Sequence, residues 1–215
     1  MFPLLALLSV ACQGTAPDEN ARRFEPEIRA FEAHDRATTP PAGGIVFVGS
    51  SSIKNWVEVV QDFPGRPVLN RGFGGSTLAD VRYYEDRVVL RYKPRLVVLY
   101  AGDNDLAMGR SPERVLRDYR AFAAHLRSVQ PGTRLVYVSI KPSPARRALL
   151  RAARRTNELI RSEIGRDSLA SYLDVVTPML GPGGQPRAEL FGPDSLHLNR
   201  SGYLLWRRLL GPLVH

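Results

Sequence analysis

The sequence predicts an α/β protein, a three-layer α/β/α sandwich built around a five-stranded parallel sheet. Short continuous apolar runs, typical of strands buried on both faces, recur at residues 45–48, 68–70, 96–100, 135–140 and 172–176. Segments with helical spacing of apolar residues separate these runs, as connections between parallel strands require. The chain of 215 residues is 44% hydrophobic and 24% charged, which indicates one folded domain of ordinary size.

The N-terminus predicts an export signal. Residues 2–11 form an apolar stretch too short to span a bilayer, and the sequence Ser9-Val10-Ala11-Cys12 resembles a bacterial lipoprotein cleavage box. Two features depart from that pattern: no Lys or Arg precedes the stretch, and Ser9 stands where the box usually has leucine. We nevertheless expect residues 1–12 to be a signal, residues 13–23 a polar tether, and residues 24–215 the folded domain.

On this interpretation Cys12 would be lipidated, and the protein would be exported and lipid-anchored in the bacterial envelope, in the periplasm or at the outer membrane. A signal that is uncleaved or cleaved elsewhere is the next interpretation, and a secreted protein is the alternative localisation. Cys12 is the only cysteine, so no intrachain disulfide can form.

A net charge of +9 raises the question of an anionic partner such as nucleic acid. The basic residues are nearly all arginines spread along the chain, and no zinc-finger, RNP or basic-zipper pattern accompanies them. We therefore expect no nucleic-acid partner and attribute the charge to a solvated basic surface.

The first half of the chain alternates helices and strands. Residues 25–36 have the spacing of a short surface helix, and the Pro- and Gly-rich residues 39–44 end it before the first strand. The second helix is expected over residues 52–60, with an apolar face made of Ile53, Trp56, Val57 and Val60. After the second strand, glycine-rich residues 71–77 lead into a helix over residues 78–92. Its expected buried side chains are Val81, Tyr84, Val88 and Leu90.

In the second half, Ser111 and Pro112 are typical of a helix start. The apolar stripe of that helix is Val115, Leu116, Tyr119, Phe122, Ala123 and Leu126, and His125 beside it is expected to be packed or on the surface. The next helix should reach residue 164. Its arginines are expected to form a solvated face: Arg146, Arg147, Arg151, Arg154, Arg155 and Arg161. A loop over residues 178–186 and a final helix over residues 200–210, capped by Asn199, complete a sheet of flavodoxin-like order 2-1-3-4-5.

Ser51 lies at the turn after the first strand, where a hydroxyl is held out at the end of the sheet and the first amides of the next helix point toward what it attacks. This placement would suit Ser51 as a catalytic nucleophile. The alternative is a helix N-cap, since serine is among the best caps. Ser50 and Ser52 flank Ser51, so the local sequence alone leaves a choice among three hydroxyls.

Several polar residues follow the carboxyl ends of predicted strands, and in a parallel sheet these ends share one rim. Ser51, Gly75 and Asn104 follow the first three strands, and Asp194 with His197 follows the fifth. A serine hydroxyl needs a base, for which imidazole is suited because it titrates near neutral pH. Asp194 is three residues from His197, close enough in a turn to hold one ring nitrogen and leave the other facing Ser51.

Acyl transfer also needs hydrogen-bond donors at the developing oxyanion. The backbone amides of Ser51 and Gly75 and the side-chain amide of Asn104 could supply three. Other interpretations of these residues remain open: a metal pair at Asp194 and His197, a simple turn cap at Asp194, and a phosphate cradle in residues 71–77. The metal pair lacks further ligands at suitable spacing, and the glycine loop lacks a P-loop lysine.

Four short motifs resemble the signature blocks of the GDSL/SGNH hydrolases, in the same order. They are Gly49-Ser50-Ser51, Gly75 within residues 70–77, Gly102-Asp103-Asn104-Asp105, and Asp194-Ser195-Leu196-His197. The resemblance implies an esterase without a cofactor, with Ser51 as nucleophile, His197 as base, Asp194 as acid, and Ser51, Gly75 and Asn104 as oxyanion donors. The family's usual Gly-Asp-Ser has Ser50 in place of aspartate, and the pattern selects Ser51 among the three serines.

The sequence thus predicts a serine esterase that cleaves carboxylic esters, from small acyl esters to lipids and O-acetylated glycans, through an acyl-enzyme. Its partner would be a small-molecule ester, and Phe73, Leu106, Met108 and Leu196 are the expected pocket residues. A non-catalytic envelope lipoprotein that binds a glycan or lipid at the same rim is the alternative. A flavodoxin-like nucleotide binder is a second one, disfavoured because no phosphate-binding motif is present.

Overall fold

The computed structural model describes residues 19–214, which form five parallel strands flanked by helices. The strands are β1 (Ile45–Gly49), β2 (Val68–Gly72), β3 (Leu96–Tyr100), β4 (Arg134–Val138) and β5 (Ala170–Leu173), and their order in the sheet is β2-β1-β3-β4-β5. The predicted α/β sandwich and strand order are confirmed. Every residue of β1 and β3 is buried, as their continuous apolar sequence indicates.

Helices cover both faces of the sheet. In chain order they are α1 (Glu25–Ala37), α2 (Ser51–Lys54), α3 (Val59–Asp62), α4 (Leu78–Tyr83), α5 (Glu85–Val88), α6 (Asp103–Ala107), α7 (Pro112–Val129), α8 (Leu150–Ile164), α9 (Val176–Met179) and α10 (Arg200–Leu210). Short 3-10 segments occur at Glu19–Phe24, Leu90–Tyr92, Pro144–Leu149, Pro182–Gly184 and Ala188–Leu190.

Alternate residues of β1 enter two separate cores. Val46 and Val48 pack in the layer that holds α1, α4, α7 and α8. Ile45 and Phe47 pack in the opposite layer with α2, α3, α9 and α10. This alternation is the two-residue period of a strand, and it makes the sheet the middle layer of three.

The predicted helix over residues 52–60 is wrong. The chain forms α2, a turn and then α3, and Val57 and Val60 are 74% and 50% exposed instead of buried. The Asn70 side chain donates hydrogen bonds to the carbonyls of Ile53 and Trp56, which ends the helix where the periodicity alone would continue it.

Two further element boundaries differ from the sequence prediction. The helix expected over residues 78–92 is divided into α4, α5 and a 3-10 turn, with Val89 at non-helical angles (φ −129°, ψ −66°) next to another β-branched residue. Strand β5 ends at Leu173, because the Asp174 carboxylate accepts the amides of Val176 and Thr177 and starts a turn into α9.

The predicted signal, with Cys12 and most of the tether, lies outside the described residues. A 3-10 segment, Glu19–Phe24, crosses the expected boundary between tether and domain at residue 23. Phe24, the first residue of the expected domain, is buried against Phe73 with their ring centroids 5.0 Å apart. No helix within residues 19–214 has the length and apolar character needed to cross a membrane.

Candidate active site

The corner after β1 holds Ser51 at the carboxyl edge of the sheet. Gly49 has φ 138°, and a Cβ there would lie 1.8 Å from the Tyr100 carbonyl oxygen, so only glycine fits. Ser50 is the N-cap residue of α2 and Ser51 is its first residue. The hydroxyls of Ser50 and Ser52 are buried without a hydrogen-bond partner, whereas Ser51 is partly exposed. Of these three serines, Ser51 is therefore the one presented to a ligand.

His197 lies between Ser51 and Asp194. Its Nε2 is 2.9 Å from Ser51 Oγ, and its Nδ1 is 2.5 Å from Asp194 Oδ2. Ser51 and His197 are 146 residues apart in the chain, so this contact depends on the whole fold. With an ionised Asp194 accepting from Nδ1–H, Nε2 is left as an acceptor for the serine hydroxyl.

The turn that carries Asp194 and His197 is organised by its own backbone. Asp194 Oδ1 accepts from the amides of Leu196 (3.0 Å) and His197 (2.9 Å), and Ser195 has a left-handed backbone with φ 57°. The bond from the Leu196 amide, with those from the His197 ring and amide, holds the pKa of Asp194 well below its ordinary value. The carboxylate is therefore ionised at neutral pH.

Gly75 and Asn104 follow the two strands that pair with β1. Gly49 is in register with Gly72 on β2 and with Tyr100 on β3, so the three strands end together at one rim. Gly75 is exposed, with φ 79°. Asn104 is in α6 with 8% of its surface exposed, and its Nδ2 donates to the Ser76 carbonyl at 3.0 Å, which connects the two segments.

A second connection between these segments is made by Asp105. The buried Asp105 carboxylate accepts from the Leu78 amide at 3.1 Å and lies 3.2 Å from Arg110 Nη1. Burial raises the pKa of Asp105 to about 7, against the opposing charge of Arg110. Asp105 thus holds the start of α4 beside α6 and indirectly holds Gly75 near Asn104.

The four predicted pocket residues lie in different environments. Phe73 is fully buried and packs edge-on against Phe24 and Tyr84, so it is a core residue and not part of a pocket. Leu106 is 5% exposed and borders a small cavity, Met108 is 52% exposed, and Leu196 is partly exposed in the His197 turn. The pocket prediction for Phe73 failed because a glycine-flanked aromatic gives no sequence signal for which way it points.

Sequence reasoning missed a buried charged cluster behind Asn104, formed by Asp103, Lys141 and Arg146. Lys141 Nζ lies 3.3 Å from Asp103 Oδ2 and donates to the Tyr100 hydroxyl at 3.1 Å. Arg146 Nη1 lies 3.0 Å from the same Asp103 oxygen, and Arg146 Nη2 donates to Asn104 Oδ1 at 2.8 Å. The position of Lys141 just after the fourth strand, at the predicted rim, was the available signal.

Within this cluster, burial alone would raise the pKa of Asp103, but the charges of Lys141 and Arg146 outweigh burial and bring it below its ordinary value. The expected solvated arginine face is corrected at Arg146, whose side chain is only 21% exposed. Arg147 and Arg151 are exposed as expected. Within residues 19–214, no three His, Cys, Asp or Glu side chains form a group that could hold a metal ion.

Comparison with known proteins agrees with this architecture. Residues 38–205 match the model of the GDSL-like lipase/acylhydrolase family. The chain belongs to this family. The matched region contains β1 to β5 and every residue of the candidate site, so the resemblance seen in the four short motifs is confirmed. No curated protein gives a significant match to this acylhydrolase-family chain.

Solved structures share the fold of this family member at low sequence identity. A protein from Streptococcus pneumonia, named after platelet activating factor, has a TM-score of 0.80 at 17% identity, covering 90% of this chain and 94% of its own. A GDSL-like lipase from Bacteroides thetaiotaomicron has a TM-score of 0.74 at 19% identity, covering 87% and 96%. A carbohydrate esterase family 3 protein from Talaromyces cellulolyticus has a TM-score of 0.61 at 15% identity. The match covers 79% of this chain and 94% of that protein.

Proposed function

We propose that this GDSL-family protein is a serine esterase that cleaves carboxylic esters through an acyl-enzyme intermediate. The observation that carries the proposal is the unbroken chain of contacts from Ser51 Oγ to His197 Nε2, and from His197 Nδ1 to Asp194 Oδ2. A nucleophile, a base within hydrogen-bond reach and a group that orients the base form the arrangement that activates a hydroxyl.

In the first half-reaction, Ser51 Oγ attacks the carbonyl carbon of the ester while His197 Nε2 accepts the hydroxyl proton. The ionised Asp194 stabilises the imidazolium that forms. The tetrahedral intermediate collapses when Nε2 gives its proton to the departing alcohol, which leaves the acyl group on Ser51. Water then attacks the acyl-enzyme with His197 again as base, and the acid and free Ser51 are released.

The negative charge on the ester oxygen needs fixed donors during both half-reactions. We assign this role to the backbone amides of Ser51 and Gly75 and to Asn104 Nδ2. Asn104 has one Nδ2 hydrogen committed to the Ser76 carbonyl, so its second hydrogen is the one offered to the oxyanion.

The ester substrate has three candidate classes: small acyl esters, lipid esters and O-acetylated glycans. The carbohydrate esterase among the structural neighbours supports the last class, and the lipase among them supports the second. No cofactor takes part in the proposed reaction. A protein that only binds a glycan or lipid at this rim is disfavoured, because binding does not need an imidazole poised between a hydroxyl and a carboxylate.

The experiment is a comparison of Ser51→Ala with the matched control Ser52→Ala, whose hydroxyl is buried without a partner. We expect Ser51→Ala to lose at least about 10³-fold in 4-nitrophenyl acetate hydrolysis and to lose covalent labelling by a fluorophosphonate probe. Ser52→Ala should keep both. Full activity in Ser51→Ala would contradict the assignment. If Ser51→Ala is inactive, a panel of esters that vary in acyl length and alcohol, tested on the wild type, would define the substrate class.

We also propose that the protein is exported and anchored to the bacterial envelope through a lipid on Cys12, with secretion as the alternative. The apolar residues 2–11 followed by Cys12 support this. Metabolic labelling with a palmitate analogue should mark the wild-type protein and not Cys12→Ser. Equal labelling of both would contradict the anchoring.

A further inference from the structure

Arg146 joins the buried charged cluster to Asn104. Its Nη2 donates to Asn104 Oδ1 at 2.8 Å, while its Nη1 lies 3.0 Å from Asp103 Oδ2. Lys141 approaches the same Asp103 oxygen at 3.3 Å. Arg146 is 21% exposed and Lys141 only 1%, so this contact to Asn104 is made in a largely dry environment.

These contacts hold the Asn104 amide at both ends. Arginine is only a donor, so the atom facing Arg146 must be the carbonyl oxygen of Asn104 and the NH₂ must face the Ser76 carbonyl. Without a donor at Oδ1, only the bond from Nδ2 to the Ser76 carbonyl would oppose rotation of the amide, which exchanges oxygen for NH₂. An oxygen at that position would repel a developing oxyanion instead of stabilising it.

Arg146 also acts on the amide electronically. A cation bound to Oδ1 draws electron density from the amide and makes its N–H groups stronger donors, as in any chain of polarised hydrogen bonds. This polarisation of the Asn104 amide needs no movement of atoms, so it can act on the oxyanion in both half-reactions without reorganisation.

We propose that Arg146 is a positioning residue of the esterase reaction, which orients and polarises Asn104 so that Nδ2 stabilises the oxyanion. This rests on the proposed function, since it assigns Arg146 a part in that same reaction. Asp103 holds the guanidinium in place, and Lys141 balances the Asp103 charge so that Arg146 remains free to donate to Asn104.

The segment that carries Arg146 also contacts the turn of Asp194 and His197. Arg146 interrupts the 3-10 segment Pro144–Leu149 with φ −112° and ψ 28°. Its neighbour Ala145 donates its amide to the Ser195 carbonyl at 3.1 Å, inside the turn that carries Asp194 and His197. The two halves of the site are therefore connected through this short segment.

The test is a double-mutant cycle of Arg146→Met and Asn104→Ala in the full chain, with 4-nitrophenyl acetate as substrate. We expect Arg146→Met to lower kcat about tenfold, with KM unchanged within about twofold. Asn104→Ala should lose about 100-fold or more. In the Asn104→Ala background, Arg146→Met should have no further effect beyond about twofold, because the residue it acts through is gone.

Two variants separate positioning from a general structural role. Arg147→Met replaces the exposed neighbouring arginine and should leave kcat unchanged. Arg146→Lys keeps one cationic donor and should recover part of the lost kcat, whereas Arg146→Gln replaces the cation with a neutral side chain and should not. If Arg146→Met does not fold, judged by circular dichroism, the cycle is run with Arg146→Gln.

Three results would overturn the proposal: wild-type kcat in Arg146→Met, an equal loss of kcat in the wild-type and Asn104→Ala backgrounds, or wild-type kcat in Asn104→Ala itself. None of these would restore activity to Ser51→Ala. A failure of the Arg146 proposal is therefore distinguishable from a failure of the esterase assignment, which Ser51→Ala tests.

Discussion

The two halves of the candidate site are held in place by different means. On the His197 side, the side chains of Asp194 and His197 are 51% and 31% exposed, and a turn of four residues sets their geometry. On the Asn104 side, Asp103 and Lys141 are 7% and 1% exposed, and they lie 38 residues apart in the chain. An exposed pair can be placed by local hydrogen bonds, whereas a buried charge must be placed by the fold.

The difference in burial indicates where catalytic function can be changed without a loss of stability. Exposed ion pairs contribute little to stability because water competes for both charges. Buried ones must be complete, since removal of one partner leaves an uncompensated charge. Removal of the Asp194 charge should therefore alter chemistry while sparing the fold, and removal of the Asp103 charge should destabilise the fold.

The largest expected effect tests the exposed half. Asp194→Asn removes the charge that stabilises the imidazolium, so we expect kcat to fall by about 10² to 10⁴-fold. The free energy of unfolding should change by less than about 1 kcal/mol, because the pair is solvated. Ester hydrolysis and urea denaturation measure the two quantities. A large loss of stability would show that the turn is needed for folding and would break the comparison.

The next effect tests the buried half. Asp103→Ala leaves Lys141 buried without its anionic partner, so we expect a loss of about 3–5 kcal/mol in the free energy of unfolding. Asp86→Ala is the matched control, since Asp86 is 65% exposed in its pair with His125 and should lose less than about 1 kcal/mol. Equal losses in the two variants, measured by urea denaturation, would argue against a structural role for the cluster.

A third region, around Glu85, holds a buried carboxylate without sufficient opposing charge. Glu85 is fully buried, both its carboxylate oxygens lack a hydrogen-bond partner, and Arg82 lies 3.6 Å away. Burial raises the pKa of Glu85 to about 9, against the opposing charge of Arg82, whereas the two cations beside Asp103 lower the pKa of that carboxyl. Neighbouring charge, and not burial alone, therefore decides the protonation state.

Because the folded protein holds the Glu85 proton up to about pH 9 and the unfolded chain releases it near 4.5, stability from this site is present at low pH. This contribution to the free energy of unfolding is lost as the pH rises from about 4.5 to about 9, at up to about 1.4 kcal/mol per pH unit. Glu85→Gln removes this titration, so the variant should gain in stability relative to the wild type from pH 5 to pH 9. Parallel stability curves in urea would contradict the assignment.

The smallest effect concerns the backbone of the exposed turn. Ser195 has φ 57°, a conformation that glycine adopts freely and a β-branched residue does not. We expect Ser195→Val to destabilise the protein by about 1–3 kcal/mol and to lower kcat, because the turn sets the Asp194 to His197 geometry. Ser195→Gly should leave kcat within about twofold of wild type. Equal kinetics in both variants would show that the turn tolerates other conformations.

The amino-acid pattern was sufficient to predict the α/β class, the strand order and the rim on which the polar residues meet. Strands and helices have local periods, and the ends of parallel strands share an edge whatever the connections do. The position after a buried strand fits Ser50, Ser51 and Ser52 alike, and the choice of Ser51 came from the resemblance of Gly49-Ser50-Ser51 to the family signature.

Contacts between specific side chains became visible in the folded chain and not before. Ser51 and His197 meet across 146 residues, and no local pattern contains that distance. Helical spacing assigned Arg146 to a solvated face, but Arg146 lies at a break in the 3-10 segment and its guanidinium donates to Asn104. Asn70 likewise ends α2 by binding carbonyls from another segment. Contacts of this kind depend on packing between distant segments, and a periodic pattern in one segment carries no information about its partner.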